Sequence, residues 1–126
     1  MELNSKSTIL IVDDDIVYLG FLVKLLKGPH TLYVAKRGQD AINMAMKTTP
    51  DLVLLDVNLP DMTGFEVLST LRHIKETEGV TAIFVTGSDD QEGKTRALQL
   101  GAVDYIHKST DANTIKARVE SQIERK

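Results

Sequence analysis

Five side chains, scattered along 126 residues, could do chemistry if they met: Asp13, Asp14, Asp56, Thr86 and Lys108. Each follows a short apolar run. The clearest case is Asp51-Leu-Val-Leu-Leu-Asp56-Val-Asn-Leu-Pro60, where Leu52 to Leu55 lead without a break into a carboxylate. A run that short reads as a strand buried on both faces, as in a parallel sheet covered by helices above and below. Asp56 then stands at the carboxyl end of that strand, where open α/β sheets bind their ligands. If strands one and three are neighbours, Asp13 and Asp14 crowd against Asp56. Ionised carboxylates at such range repel one another and raise each other's pKa. A divalent cation removes the conflict, and an all-oxygen site with few protein ligands suits Mg²⁺. Asp56 keeps a free carboxylate oxygen, which can act as a nucleophile and form an aspartyl-phosphate. Lys108 would place a positive charge, and Thr86 a hydroxyl, against phosphoryl oxygens. Such a transfer needs little beyond alignment and neutralised charge.

The elements that must hold these groups alternate along the chain. Thr8–Val12 reads as a first strand, ending at Asp13-Asp14-Asp15. A helix over 15–27 follows, with Tyr18, Leu22 and Leu25/Leu26 at helical spacing and Gly28-Pro29 as its stop. Thr31–Ala35 is a second strand, and Ala41, Ile42 and Ala45 mark a helix ending near Thr48-Thr49-Pro50. After the third strand, a loop leads to Thr63, whose spacing from Glu66 predicts a capping box. Phe65, Leu68 and Leu71 give the third helix its apolar face. Val80–Val85 is a fourth strand, ending at Thr86-Gly87-Ser88. Ser88 and Gln91 suggest another capping box. The helix over about 90–100 has only Ala97, Leu98 and Leu100 as apolar residues, so it is lightly anchored. Ala102–Ile106 is the fifth strand, ending at His107-Lys108-Ser109, and Ile115, Val119 and Ile123 form the stripe of the last helix. Strand–helix alternation predicts an α/β fold, a doubly wound parallel sheet of five strands, and a flavodoxin-like order 2-1-3-4-5 would make strands one and three neighbours.

Composition narrows the function classes. The chain has no cysteine, which excludes a disulfide scaffold, thiolate metal sites and a cysteine nucleophile. The net charge is -3 and the basic residues form no dense block, so no direct nucleic-acid contact is expected. No apolar run is long enough to span a bilayer, and the N-terminus lacks a signal-peptide core. A cytoplasmic location follows as an expectation. No Gly-x-x-x-x-Gly-Lys sequence is present for a P-loop nucleotide enzyme.

Taken together and in order, Ile9-Leu-Ile-Val-Asp13-Asp14-Asp15, Asp51 to Pro60, Phe84-Val-Thr86-Gly and Gly101-Ala-Val-Asp-Tyr105-Ile-His-Lys108 resemble the response-regulator receiver domain, the CheY-like family of two-component signalling, over about residues 6–124. The resemblance implies a (βα)5 fold and a single receiver domain over 1–126, either standing alone or cut from a longer protein. It implies that Asp56 is the phosphoacceptor, that Asp14 binds Mg²⁺ directly and Asp13 mostly through water, and that Asn58 contributes its main-chain carbonyl. Thr86 would bind the phosphoryl group, Tyr105 would be the aromatic switch, and Lys108 would pair with the acyl phosphate. Asn58, Gly87 and Ser88 would tune its lifetime. The donor would be a phosphohistidine on a sensor histidine kinase or a histidine phosphotransfer protein. The output would pass through the α4-β5-α5 surface to a domain or protein downstream, with dimerisation on activation possible. Such a phosphorelay switch is no multiple-turnover enzyme. One departure stands out. The family usually has proline after the lysine, joined by a cis peptide, and here Ser109 follows. A cis bond without proline costs about 3 kcal/mol. Either that strain is borne, or the loop is trans and Lys108 is aimed differently.

Plainer roles compete at each position. Asp13–Asp15 could cap a helix. Thr86 could be an ordinary strand-end threonine, Lys108 a solvated lysine, and Tyr105 a core aromatic. Gly87 could ease a turn, and Ser88 could cap a helix. His30, His73 and His107 show no ligand spacing and read as surface or strand-end residues. Two other functions fit in part. A receiver-like binding module that is never phosphorylated would keep the same fold. A phosphatase of the haloacid-dehalogenase type also uses an aspartyl-phosphate, but wants Asp-x-Asp on its first strand, whereas Asp56-Val57-Asn58 lies on the third.

Overall fold

The computed structural model describes residues 7–88 and 90–124; the boundary expected at residue 6 lies outside them. Elements alternate as β1 (Ser7–Val12), α1 (Ile16–Leu26), β2 (His30–Ala35), α2 (Gly38–Thr48), β3 (Leu52–Leu55), α3 (Gly64–Arg72), β4 (Thr81–Thr86), α4 (Gln91–Gln99), β5 (Asp104–His107) and α5 (Ala112–Glu124). The five strands pair in parallel, in the order β2-β1-β3-β4-β5. This is the predicted doubly wound sheet.

Alternation along the central strands splits the core in two. Leu10, Val12, Val53, Leu55, Ala82 and Phe84 face α2, α3 and α4. Ile9, Ile11, Leu52, Leu54, Ile83 and Val85 face α1 and α5. Both sets are fully buried, which is why β1, β3 and β4 read as unbroken apolar runs. Ile115 and Val119 seat α5 on the second face, each worth roughly 1.5–3 kcal/mol of burial.

Helix starts decide how the strand ends are presented. Asp15 caps α1, its carboxylate accepting the N–H groups of Val17 and Tyr18. The Thr63–Glu66 capping box forms as predicted. The Ser88–Gln91 box does not. Asp90 caps α4 instead, accepting the Gly93 N–H at 2.7 Å. A carboxylate beside the positive end of the helix out-competes a hydroxyl two residues upstream. The start of α2 has no cap of its own; Asp61, on the β3–α3 loop, accepts the N–H groups of Gly38 at 2.7 Å and Gln39 at 3.0 Å.

Other expectations shift by small amounts. On α1 the buried stripe is Leu19, Leu22 and Leu26, and Tyr18 is half-buried. The fifth strand starts at Asp104 rather than Ala102. On α4 only Gly93 and Ala97 are buried, and Leu98 is 66% exposed, so that helix is anchored still more lightly than its composition suggests. His30 takes the strand-end place of its two expected roles: it opens β2, its side chain is 6% exposed and its Nε2 lies 3.0 Å from Glu120 on α5.

Gly64 lets the start of α3 lie close against the end of β3. Its N–H donates to the Val57 carbonyl at 2.7 Å, and a Cβ there would run into the Asp56 carbonyl oxygen. Gly64→Ala is therefore expected to lower stability by about 3 kcal/mol, measured by denaturant unfolding. A variant as stable as the wild type would mean that the α3 start can retreat without cost.

Candidate functional site

Strand register brings the acidic groups together. Val12 pairs with Leu55, so the chain leaves β1 and β3 at the same level. The ladder continues past both strands: the Asp56 N–H donates to the Val12 carbonyl at 3.0 Å, and the Asp13 N–H to the Ala35 carbonyl at 3.0 Å. One oxygen from each of Asp13, Asp14 and Asp56 falls within 4.8 Å of the others. Asp13 and Asp56 are buried and Asp14 faces outward. A mixed set of carboxylates, part sheltered and part open, fits a hard cation that keeps some of its water.

Lys108 completes the cluster. Its N–H donates to the Thr86 carbonyl at 2.9 Å, extending the β4–β5 pairing past its end. Its Nζ lies 2.9 Å from Asp13 Oδ2 and 3.0 Å from Asp56 Oδ2. The Lys108–Ser109 peptide is trans, and the ammonium still reaches both carboxylates. Of the two geometries the sequence leaves open at this bond, the trans one holds, without Lys108 being aimed elsewhere. The shaft of the approach is Tyr18, whose ring centre is 4.8 Å from the ammonium.

The second oxygen of Asp56 is less engaged: Oδ1 accepts only a long bond, 3.4 Å, from the Asn58 N–H. Asn58 itself is exposed and bridges to Thr63. Thr86 is fully buried at the end of β4, and its Oγ1 accepts the Ser88 N–H at 3.3 Å. Tyr105 is half-buried. Its ring lies 6.2 Å from that of Phe84, and its hydroxyl donates to the Ser88 carbonyl at 3.5 Å. It borders a cleft of about 190 Å³ shared with Val57, Phe65, Ser88 and Gly93. Gly87 is exposed, with open space where a side chain would be.

Charge at the site follows burial. Burial pushes the Asp13 carboxyl above the ordinary aspartate value, and the Asp56 charge adds to this; the Asp15 N–H and Lys108 offset only part of it. Burial alone would lower the Lys108 ammonium, but its hydrogen bonds to Asp13 and Asp56 outweigh that, so its pKa lies above the usual lysine range.

Three contributors escaped the sequence reading. Asp61 ties α2 to the β3–α3 loop. Tyr18, spaced as a core residue of α1, lays its ring against the Lys108 ammonium. Arg72 donates from Nε to the Leu100 carbonyl and from its terminal nitrogens to the carbonyls of Glu78, Val80 and Gly101. A lone charged residue near a helix end carries no such signal in sequence.

The chain matches the response regulator receiver domain model over residues 9–120. It therefore belongs to the receiver domains of two-component response regulators. It is similar to a probable cyclic di-GMP phosphodiesterase of Vibrio cholerae, 36% identical over 100% of this chain, though it spans only 29% of that protein's length. It is 34% identical to protein PilH of Pseudomonas aeruginosa, covering 85% of this chain and 89% of PilH. Among solved structures, the BeF3-activated receiver domain of DrrB, a Thermotoga maritima protein, superposes with a TM-score of 0.86 at 27% identity, covering 95% of this chain and 99% of that one. No helix among the described residues is long and apolar enough to cross a membrane.

An acid with a raised folded pKa holds its proton more tightly folded than unfolded, so its ionisation detracts from stability at neutral pH, and the penalty fades as pH falls through that folded pKa. Asp13→Asn is accordingly expected to stabilise the metal-free protein at pH 7. The gain should shrink as pH falls through that raised pKa. Urea unfolding at pH 7 and pH 4 checks this; a net loss at pH 7 would show the Lys108 pairing to outweigh burial.

Proposed function

We propose that the chain is a phosphoacceptor switch in which Asp56 takes a phosphoryl group from a phosphohistidine on a sensor kinase or phosphotransfer protein. The observation that carries this reading is Lys108 Nζ at 2.9 Å from Asp13 and 3.0 Å from Asp56, with a metal-sized group of three carboxylates around it. Asp56 Oδ1, the less engaged oxygen, attacks phosphorus as the bond to the donor imidazole nitrogen breaks. Lys108 stays against the site and offsets charge on the acyl phosphate; Thr86 offers its hydroxyl to a phosphoryl oxygen. Asp13, Asp14, Asp56 and the Asn58 main-chain carbonyl would hold Mg²⁺. Bound there, the cation supplies charge neutralisation between the carboxylates and the phosphoryl oxygens.

The signal then leaves through α4, β5 and α5. The light anchoring of α4, and Tyr105 set between Phe84 and the β4–α4 loop, support that direction. The chain acts on itself rather than turning over an external substrate. We place it in the cytoplasm, either as a stand-alone receiver, which its match to 89% of PilH supports, or as one domain of a longer regulator, which its match to 29% of the Vibrio cholerae relative supports. Its effect would reach an output domain or protein, with dimerisation on that face when activated, and without direct contact to nucleic acid or membrane.

Beryllofluoride with Mg²⁺ is expected to shift amide resonances across residues 86–108 in the wild type and to leave Asp56→Asn unchanged. Equal responses in the two proteins would refute the proposal.

A further inference from the structure

His107 closes β5 one residue before Lys108, and its ring is engaged at both nitrogens. Nε2 lies 3.0 Å from the Gly87 carbonyl oxygen. Nδ1 lies 3.0 Å from the Ser109 N–H and 2.7 Å from Ser109 Oγ. A backbone N–H can only donate, so Nδ1 must be the acceptor. The proton of the neutral ring is then on Nε2, where it donates to Gly87. A single tautomer satisfies all three contacts.

These contacts join the two loops that carry the site's hydroxyl and ammonium. Gly87 is the residue after Thr86, and Ser109 the residue after Lys108. The β4–β5 ladder ends with the Lys108 N–H on the Thr86 carbonyl. Beyond that point the imidazole supplies the next tie, from the β5–α5 loop across to Gly87. Ser109 matters for a related reason. A proline there would have no N–H to give, whereas this serine turns its N–H back onto Nδ1 and holds the ring edge-on to Gly87. Gly87 has open space on its Cα, so no side chain of its own holds its loop in place.

We propose that His107 is a positioning residue: with Ser109 orienting its ring, it staples the Lys108 loop to the Thr86–Gly87 turn, so that ammonium and hydroxyl are held at one spacing for phosphoryl transfer. This rests on the phosphoacceptor reading above. The hydrogen bonds of the ring run to Gly87 and Ser109, and it acts through their loops.

The test compares wild type with His107→Phe, His107→Gln and His107→Asn, using acetyl phosphate and saturating Mg²⁺, with the Mg²⁺ Kd and Tm of each measured in parallel. Phenylalanine keeps a ring and loses both nitrogens; its phosphorylation rate is expected to fall about five- to tenfold, the scale of one hydrogen bond, with Mg²⁺ Kd and Tm near wild type. Glutamine places an N–H where Nε2 stands and should recover most of the rate; asparagine, which can replace only Nδ1, should not. Imidazole ¹⁵N shifts of the wild type should report protonated Nε2 and bare Nδ1. A phenylalanine variant at the wild-type rate, or a glutamine variant no faster than phenylalanine, overturns the His107 role alone. A wild type that takes no phosphoryl group from acetyl phosphate, while its ring shows the expected tautomer, overturns the phosphoacceptor reading and the positioning role with it.

Discussion

Three carboxylates within 4.8 Å of one another are an electrostatic liability, and the arrangement around them answers that liability. Asp13 and Asp56 are removed from water, which raises the cost of their charge. One ammonium, from Lys108, lies against both and lowers that cost without cancelling it, since Asp13 stays above its ordinary pKa. What remains is an acidic site short of positive charge. Such a site suits a hard divalent cation and, beside it, a phosphoryl group that brings its own negative charge.

Holding that cluster is a task for the backbone more than for side-chain packing. The carboxylates sit on continuations of the β1 and β3 ladders, and Lys108 on a continuation of the β4–β5 ladder. Gly64 lets the start of α3 lie against the Asp56 carbonyl, and Asp61 binds the β3–α3 loop to the start of α2. On the other side of the site α4 is the lightly held element. The β4–α4 turn carries the exposed Gly87, α4 buries only Gly93 and Ala97, and Tyr105 lies half-buried between them. The acidic groups are thus held by backbone ladders, and Thr86 is held at the end of β4, while the helix beyond the turn is seated by little more than Gly93 and Ala97.

Much of the fold was legible because burial on both faces leaves an unmistakable mark. Leu52–Leu55 is a strand at the positions expected, and the parallel sheet follows from strand–helix alternation, while its order 2-1-3-4-5 came with the family resemblance. The grouping of Asp13, Asp14, Asp56 and Lys108 was legible for the same reason: each ends an apolar run, and parallel strands end on one edge. Competition between local groups was not legible. Ser88 and Asp90 both could cap α4, and only the path of the turn, which commits the Ser88 N–H to Thr86 and its carbonyl to Tyr105, left the helix to Asp90. Tyr18 has the spacing of a core residue; the rotation of α1 turns its ring toward Lys108.

The amino-acid sequence by itself determined the five-stranded parallel sheet, the edge on which polar groups gather and the family, because apolar periodicity and strand-end residue types are properties of the chain read one segment at a time. Tertiary structure alone decided the ion pairs of Lys108, the trans peptide at Ser109, the cap that Asp61 lends to α2, the four carbonyls held by Arg72 and the bridge from His107 to Gly87. Each of these joins segments far apart in sequence. Their partners are selected by register and loop path, and no local pattern encodes either.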